Sequence, residues 1–446
     1  MSADVVVIGA GVAGLSAATA LAERGIGVDV MEARPAAGGR CSAFTDPVSG
    51  ERVDNGQHVL FGCYVETFKF LRRIGAESGV RLQPTLRVGI VDREGRRSQL
   101  QCPQWPAPMH LAGGLLRWSA LEWRDRVAPF RLVRALRSNR RSPASMTVRQ
   151  WLVAHGQTER VIDLLWEPLA VAALNESIDV ASAEPFRLVL ARMFSGDRQD
   201  SSIALPLVPL DELFVAPSRA LLEHRGGHLE TSSRALLTFE AHTSGLAVRV
   251  RDMTLRPRAV ICAVAWHALP DVLPAVVTLS GVIDAARATA SSAIVTVNLW
   301  FDRSVIDESF VGMPGREMQW IFDKQRLFGE RSSHLSLVSS GADHLAVRRN
   351  DEILDMAVRE VHAAFPASRT AAITRSIVVR EKRATFSVAP GQPGRPGTVT
   401  SVPGLFLAGD WIDTGLPATI ESAAASGHRA ADAVFEYLRN YSPLET

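Results

Sequence analysis

Residues 9–14 read Gly9-Ala10-Gly11-Val12-Ala13-Gly14, three glycines at the spacing that cradles a pyrophosphate. The chemistry is that of the backbone. Gly9 permits a tight turn, Gly11 lets phosphates approach the main chain, and Gly14 lets the next helix pack closely. That helix begins at Val12 and Ala13 and presents its first N–H groups and a positive dipole end to the phosphates. Eighteen residues after Gly14, Glu32 supplies a carboxylate at the spacing expected for ribose hydroxyls.

Three elements must position these groups. The apolar run Val5 to Ile8 predicts a buried parallel strand, and the Ala-rich run from Val12 to Ala22 predicts a helix. Val28 to Met31 is the second strand, and Glu32 ends it. Strand, glycine loop, helix, strand and terminal acid in register predict an α/β, doubly wound dinucleotide-binding domain.

Glu32 is followed by Ala33-Arg34-Pro35-Ala36-Ala37-Gly38-Gly39-Arg40. An acid followed closely by Gly-Gly-Arg resembles the flavin-containing amine oxidase and phytoene desaturase superfamily. The resemblance implies FAD in a Rossmann-type, GR2-like domain, with Gly38, Gly39 and Arg40 near the diphosphate and flavin. Asp54-Asn55-Gly56-Gln57-His58 resembles a further stretch of that family beside the flavin. There Gly56 permits close approach to the ring, while His58 either bonds cofactor or substrate or satisfies a nearby carbonyl. In the segment opening at Gly226-Gly227, the resemblance places the backbone of Ala235 against the adenine. Gly409-Asp410 ends a buried strand, and the family's aspartate there binds the ribityl chain. Ala418-Thr419-Ile420 then opens the last helix, whose small residues allow close approach to the isoalloxazine and whose dipole favours negative charge on reduced flavin.

A narrower resemblance rests on Leu165-Trp166-Glu167-Pro168-Leu169 to Asn175-Glu176, continuing through Ala181-Ser182-Ala183-Glu184 to Leu190. This stretch, with residues 54–64, is similar to the hydroxysqualene dehydroxylase family, also called squalene-associated FAD-dependent desaturases. It implies reductive removal of the hydroxyl of hydroxysqualene, giving squalene for hopanoid or related triterpenoid synthesis. The substrate would be a long hydrophobic isoprenoid, walled by this apolar, small-residue segment. An acid must protonate the departing hydroxyl, and His58 ranks first, ahead of Asp54, Glu167 and Glu184. A carotenoid-type desaturase would run the same cofactor frame in the oxidative direction. An amine oxidase would need an aromatic cage, for which Trp411 is the lone candidate. A flavin-binding protein without catalysis would leave the apolar insert unexplained.

The FAD-binding domain is expected to be discontinuous, from 1–65, 215–268 and 391–446, with an inserted α+β substrate domain from 66–214 and 269–390. Within the insert, Thr67 to Ile74 predicts a helix, Leu82 to Val91 one strand, and Leu111 to Arg141 a largely helical basic stretch. Between Arg117 and Arg141 eight arginines face two acids, with Trp118 and Trp123 interleaved. That pattern fits either an amphipathic surface on anionic lipid or a solvated helical face. Over the whole chain the net charge is +2, which predicts no nucleic-acid partner. Cys41, Cys63, Cys102 and Cys262 show no CxxC spacing, which argues against a metal site or disulfide scaffold. No signal peptide is recognisable, and no apolar run reaches 18 residues. The expectation is a cytoplasmic enzyme with peripheral contact at the inner face of the cytoplasmic membrane, an external electron donor and association with squalene-pathway enzymes.

Overall fold

Val5–Ile8 forms β1 with all four residues buried, as a β-branched run covered on both faces should. The computed structural model describes residues 3–137, 141–194, 196–239 and 245–440. Arg140 of the basic stretch, and the chain ends assigned above to the FAD-binding segments, lie outside these residues. Helix α1 (Val12–Glu23) follows β1, and β2 (Val28–Met31) pairs parallel with it. The parallel sheet runs in the order His228–Glu230, β2, β1, Ala259–Cys262, Leu405–Leu407. β1 is central, and the connections leave it in opposite directions on its two sides. The crevice at the carboxyl end of β1 is therefore the switch point where such folds bind ligands. The α/β, Rossmann-type expectation holds.

Two glycines explain how closely the helices sit on this sheet. A Cβ on Gly14 would lie 1.9 Å from the carbonyl oxygen of Gly9. A Cβ on Gly427, in the last helix (Ile420–Asn440), would lie 2.3 Å from the carbonyl oxygen of Ala13. Ser16 Oγ also donates to the Ala424 carbonyl at 3.0 Å. The small residues at 424 and 427 thus serve a helix–helix contact with α1.

The remaining strands build a seven-stranded mixed sheet centred on Ser291–Phe301 and Ser333–Ser340, with the long strand Ile373–Phe386 at one edge. One face packs on the helix Asn350–Ala364, and the other faces a large cavity. One expectation fails here. Leu82 to Val91 is not one strand. Val80–Leu82 joins a small sheet with Ile203–Pro206, and Arg87–Val91 joins the seven-stranded sheet. Pro84 breaks the run, and Gln83 bridges the turn by exchanging two hydrogen bonds with the Arg87 backbone. Leu111 to Arg141 is largely helical, as expected from its sequence. It is cut into Met109–Arg117, Trp123–Val127 and Leu132–Arg137, with a capping box of Glu122 and Asp125 at one break and Pro129 at the other. Among the described residues no helix is long and apolar enough to cross a membrane.

Helix propensity alone would make Gly427→Ala stabilising by about 1 kcal/mol. The contact with α1 reverses the sign, and overpacking of this kind costs about 1–3 kcal/mol. Chemical denaturation should show a lower midpoint with an unchanged slope. A midpoint at or above that of the parent would contradict the close approach.

Candidate active site: one cavity with a polar and an apolar arm

A single cavity of about 1370 Å³ lies between the parallel sheet and the seven-stranded sheet. Its polar arm starts at the carboxyl end of β1. Gly9 turns the chain with φ of +105°, and a Cβ there would lie 2.8 Å from the Ala263 carbonyl oxygen. Gly11 is extended and caps α1 without a side chain, so the first N–H groups of the helix, at Val12 and Ala13, face the cavity. The second glycine loop packs on the first. Gly38 N–H donates to the Ala10 carbonyl at 2.8 Å, and Gly38 has φ of +106°. At the end of β2, Glu32 is held by the N–H groups of Ala10 and Arg34, each at 2.9 Å.

All the residues assigned to cofactor binding from sequence line this cavity except Gly14: Gly9, Gly11, Val12, Ala13, Glu32, Ala33, Arg34, Gly38, Gly39, Arg40, Asn55, Gly56, Gln57, His58, Ala235, Gly409, Asp410, Ala418, Thr419 and Ile420. Gly14 acts one layer behind, through the backbone contact described above. Asp410 also has a protein partner. Its carboxylate takes two hydrogen bonds from Arg40, at 2.8 and 2.5 Å. The same guanidinium donates to the Ala384 carbonyl at 2.6 Å. Burial opposes the Arg40 charge, and Asp410 outweighs that and holds it above its ordinary value. The carboxylate therefore fixes Arg40 while it lines the cavity.

The four acid candidates separate. His58 reaches the cavity, and its Nδ1 lies 2.7 Å from the Gly56 carbonyl oxygen. A carbonyl accepts only, so Nδ1 carries the proton and Nε2 is the free lone pair of the neutral ring. Burial, with the nearby Arg40 charge, pushes the imidazole below its ordinary value of 6.5 against the Gly56 bond and Asp54. His58 is thus an acceptor at neutral pH, which displaces it as first-ranked acid. Asp54 is buried behind the cavity, accepting from Leu210 N–H at 3.1 Å and Lys324 at 3.2 Å. Glu167 faces Arg149 on the outer side of its helix, at 3.9 Å. Glu184 is held by Arg187 and the Ser142 N–H. None of these three lines the cavity.

The apolar arm is walled by the segment singled out in the sequence. Pro168 has no N–H to continue the helical ladder, and the turn just before it, Ile162–Trp166, is π-helical. Leu164, Leu165, Trp166, Leu169, Ala172 and Ala173 face inward. The helix Glu167–Leu174 stops at Asn175, which is left-handed with φ of 52°. Asn175 donates to the Ser292 carbonyl and Thr385 Oγ1 and accepts from Gly341 N–H at 2.7 Å. That asparagine clamps the wall to the seven-stranded sheet. Cavity groups that escaped the sequence reading include Glu381 and Arg383. No local motif surrounds them, because the fold alone brings their strand to the cavity.

The polar arm fits a bound dinucleotide. Both amide atoms of Gln57 are buried without a partner, and a Cβ on Gly11 would meet open space. The model of the flavin-containing amine oxidoreductase family matches residues 12–435. The chain belongs to this family. Its cofactor is a flavin. The chain is 33% identical over 445 residues to a hydroxysqualene dehydroxylase of Sinorhizobium fredii, covering 97% of this chain and 98% of that protein. It is 25% identical to a zeta-carotene desaturase of Solanum lycopersicum, covering 96% of this chain and 80% of that one. An oxidoreductase from Methanosarcina mazei superposes with a TM-score of 0.75 at 17% identity, over 96% and 99% of the two chains, and shares the fold.

Because Gly11 faces open cavity, Gly11→Val should spare the apoprotein fold yet abolish flavin retention. The purified variant should be colourless with the parent's apoprotein melting temperature. Retained stoichiometric flavin would contradict the placement of the loop. For His58, nitrogen NMR should find the Nδ1–H tautomer and a titration midpoint below 6.5. The opposite tautomer would overturn its assignment as an acceptor.

Proposed function

We propose that this protein binds FAD in the polar arm and reductively removes the hydroxyl of hydroxysqualene, giving squalene. The observation that carries this reading is the continuity of the two arms. A long hydrocarbon along Leu165–Ala173 would end beside Asn55, Gly56, Gln57 and His58 without leaving the cavity. The full-length likeness to a hydroxysqualene dehydroxylase supports the substrate. When bound and reduced by an external two-electron donor, the flavin would supply the hydride that replaces the hydroxyl.

The chain's own residues do the rest. Glu32 would hold ribose hydroxyls, and the start of α1, with Arg40 fixed by Asp410, would hold the diphosphate. The N-terminus of the last helix, at Thr419 and Ile420, would face the ring. His58 Nε2 would accept from the substrate hydroxyl. The apolar walls would exclude water that could otherwise recapture an allylic cation. The domain division 1–65, 215–268 and 391–446 against 66–214 and 269–390 follows from this reading. Trp411, the residue considered for an amine oxidase cage, is buried and does not line the cavity. The desaturase reading keeps the likeness to zeta-carotene desaturase in its favour.

Peripheral contact with anionic lipid is part of the proposal. Trp123, Met109 and Phe130 are 69%, 61% and 40% exposed, and Met109 and Phe130 also line the cavity. Arg117 stacks over Trp105, 5.0 Å from the ring centre. Trp118 plays no part in this surface, being buried with its Nε1 on Ser98.

Pre-reduced enzyme mixed anaerobically with hydroxysqualene should regain oxidised-flavin absorbance as squalene appears, and deuterium on the reduced flavin should enter the product. If reduced enzyme stays reduced while oxidised enzyme bleaches with phytoene, the desaturase reading replaces this one. For the membrane surface, Arg117, Arg124, Arg134 and Arg137 each contribute about 1 kcal/mol near an anionic surface. Changing all four to glutamine should reduce co-sedimentation with anionic vesicles at low salt. Unchanged sedimentation would leave the stretch a solvated face.

A further inference from the structure

We propose that Glu381 is the catalytic residue that protonates the departing hydroxyl. The inference rests on the dehydroxylation reading above.

Elimination comes first. Among the described residues, four carboxylates line the cavity: Glu32, Asp271, Glu381 and Asp410. Glu32 is occupied by two backbone N–H groups, and Asp410 by Arg40. Asp271 is exposed, in a four-residue helix on the solvent side. Other proton carriers are poorly matched to an alcohol. His58 presents a lone pair. Burial and the charges of Arg383, Arg40 and Arg34 push His267 below its ordinary value, toward the neutral ring. Burial raises the Tyr64 phenol and pushes the Cys41 and Cys102 thiols up to about 12.

Glu381 remains, and its position suits the task. It lies on the strand Ile373–Phe386, directly opposite Ile294 of the neighbouring strand. Ile294 belongs to the apolar lining. On the other side, Glu381 Oε2 accepts from Asn55 Nδ2 at 3.0 Å. Asn55 precedes Gly56, Gln57 and His58, beside which the proposed substrate would end. Glu381 therefore stands at the seam of the two arms, where the hydroxyl-bearing carbon must lie for hydride transfer. Among the described residues, Oε1 accepts only from the Arg383 N–H, at 3.4 Å, and is the oxygen left to carry the proton. Arg40 and His267, which also line the cavity, lie within electrostatic range of this carboxyl.

The step balances. The proton passes from Glu381 Oε1 to the hydroxyl oxygen, the carbon–oxygen bond breaks, and water leaves. Hydride from the reduced cofactor closes the carbon, and Glu381 regains its proton from solvent. The two electrons come from a donor of the reduced-nicotinamide or reduced-flavin class.

The test compares hydroxysqualene with its acetate ester, whose leaving group departs as an anion without a proton. Both are mixed with pre-reduced, FAD-loaded enzyme. Glu381→Gln keeps an oxygen for Asn55 and should keep its flavin absorbance. It should slow the alcohol by about 10²–10⁴-fold, the usual worth of a general acid, and leave the ester near the parent rate. Glu381→Asp should recover part of the alcohol rate. In the parent, the alcohol rate should fall as pH rises, and the ester rate should not. A Glu381→Gln variant that handles the alcohol at the parent rate, or that loses both substrates equally, overturns the proposal. If that variant loses FAD, the parent's pH profiles for alcohol and ester decide, and coincident profiles overturn it. A parent enzyme that turns over neither substrate fails the dehydroxylation reading itself.

Discussion

The Arg40–Asp410 ion pair is the interaction on which the site depends. Its members are 370 residues apart in sequence, and Arg40 also holds the Ala384 carbonyl. One guanidinium thus joins the second glycine loop, the end of the last parallel strand and the edge strand of the seven-stranded sheet. Asp410 is almost fully buried, while Arg40 opens onto the cavity. Removing either partner would leave a largely buried charge uncompensated, a loss of about 3–5 kcal/mol for such pairs. The pair fixes a guanidinium on the wall of the polar arm.

Around that tie, the two arms follow from different physics. The polar arm is made of backbone: N–H groups, helix ends and glycines whose missing Cβ atoms leave room. The apolar arm is made of side chains on a helix interrupted by Pro168 and clamped by Asn175. Chemistry between a polar cofactor and a hydrocarbon needs both in contact, because reacting atoms must approach within about 3–3.5 Å. A shared cavity is the arrangement that allows it.

What was legible in the sequence follows this division. Gly9, Gly11, Gly14 and Glu32 act through local backbone geometry, so their spacing carries their meaning. The wall from Leu165 to Ala173 was legible only as a resemblance, since an apolar helix reads as ordinary core. Asp54, Glu167 and Glu184 lay in suggestive stretches, yet pairwise contacts turn each of them away from the cavity. Glu381 was invisible because its place depends on a strand register against Ile294 and on Asn55, both far away in sequence. One misread element had a local signal. Pro84 marked a break that an apolar run concealed.

A crystal structure of the FAD-loaded protein with squalene bound tests the account most directly. The account places the isoalloxazine against Gly56 and His58, with the hydrocarbon along Leu165–Ala173 and one of its carbons between Glu381 and the ring. Squalene bound outside this cavity, or separated from the ring by protein, would contradict it.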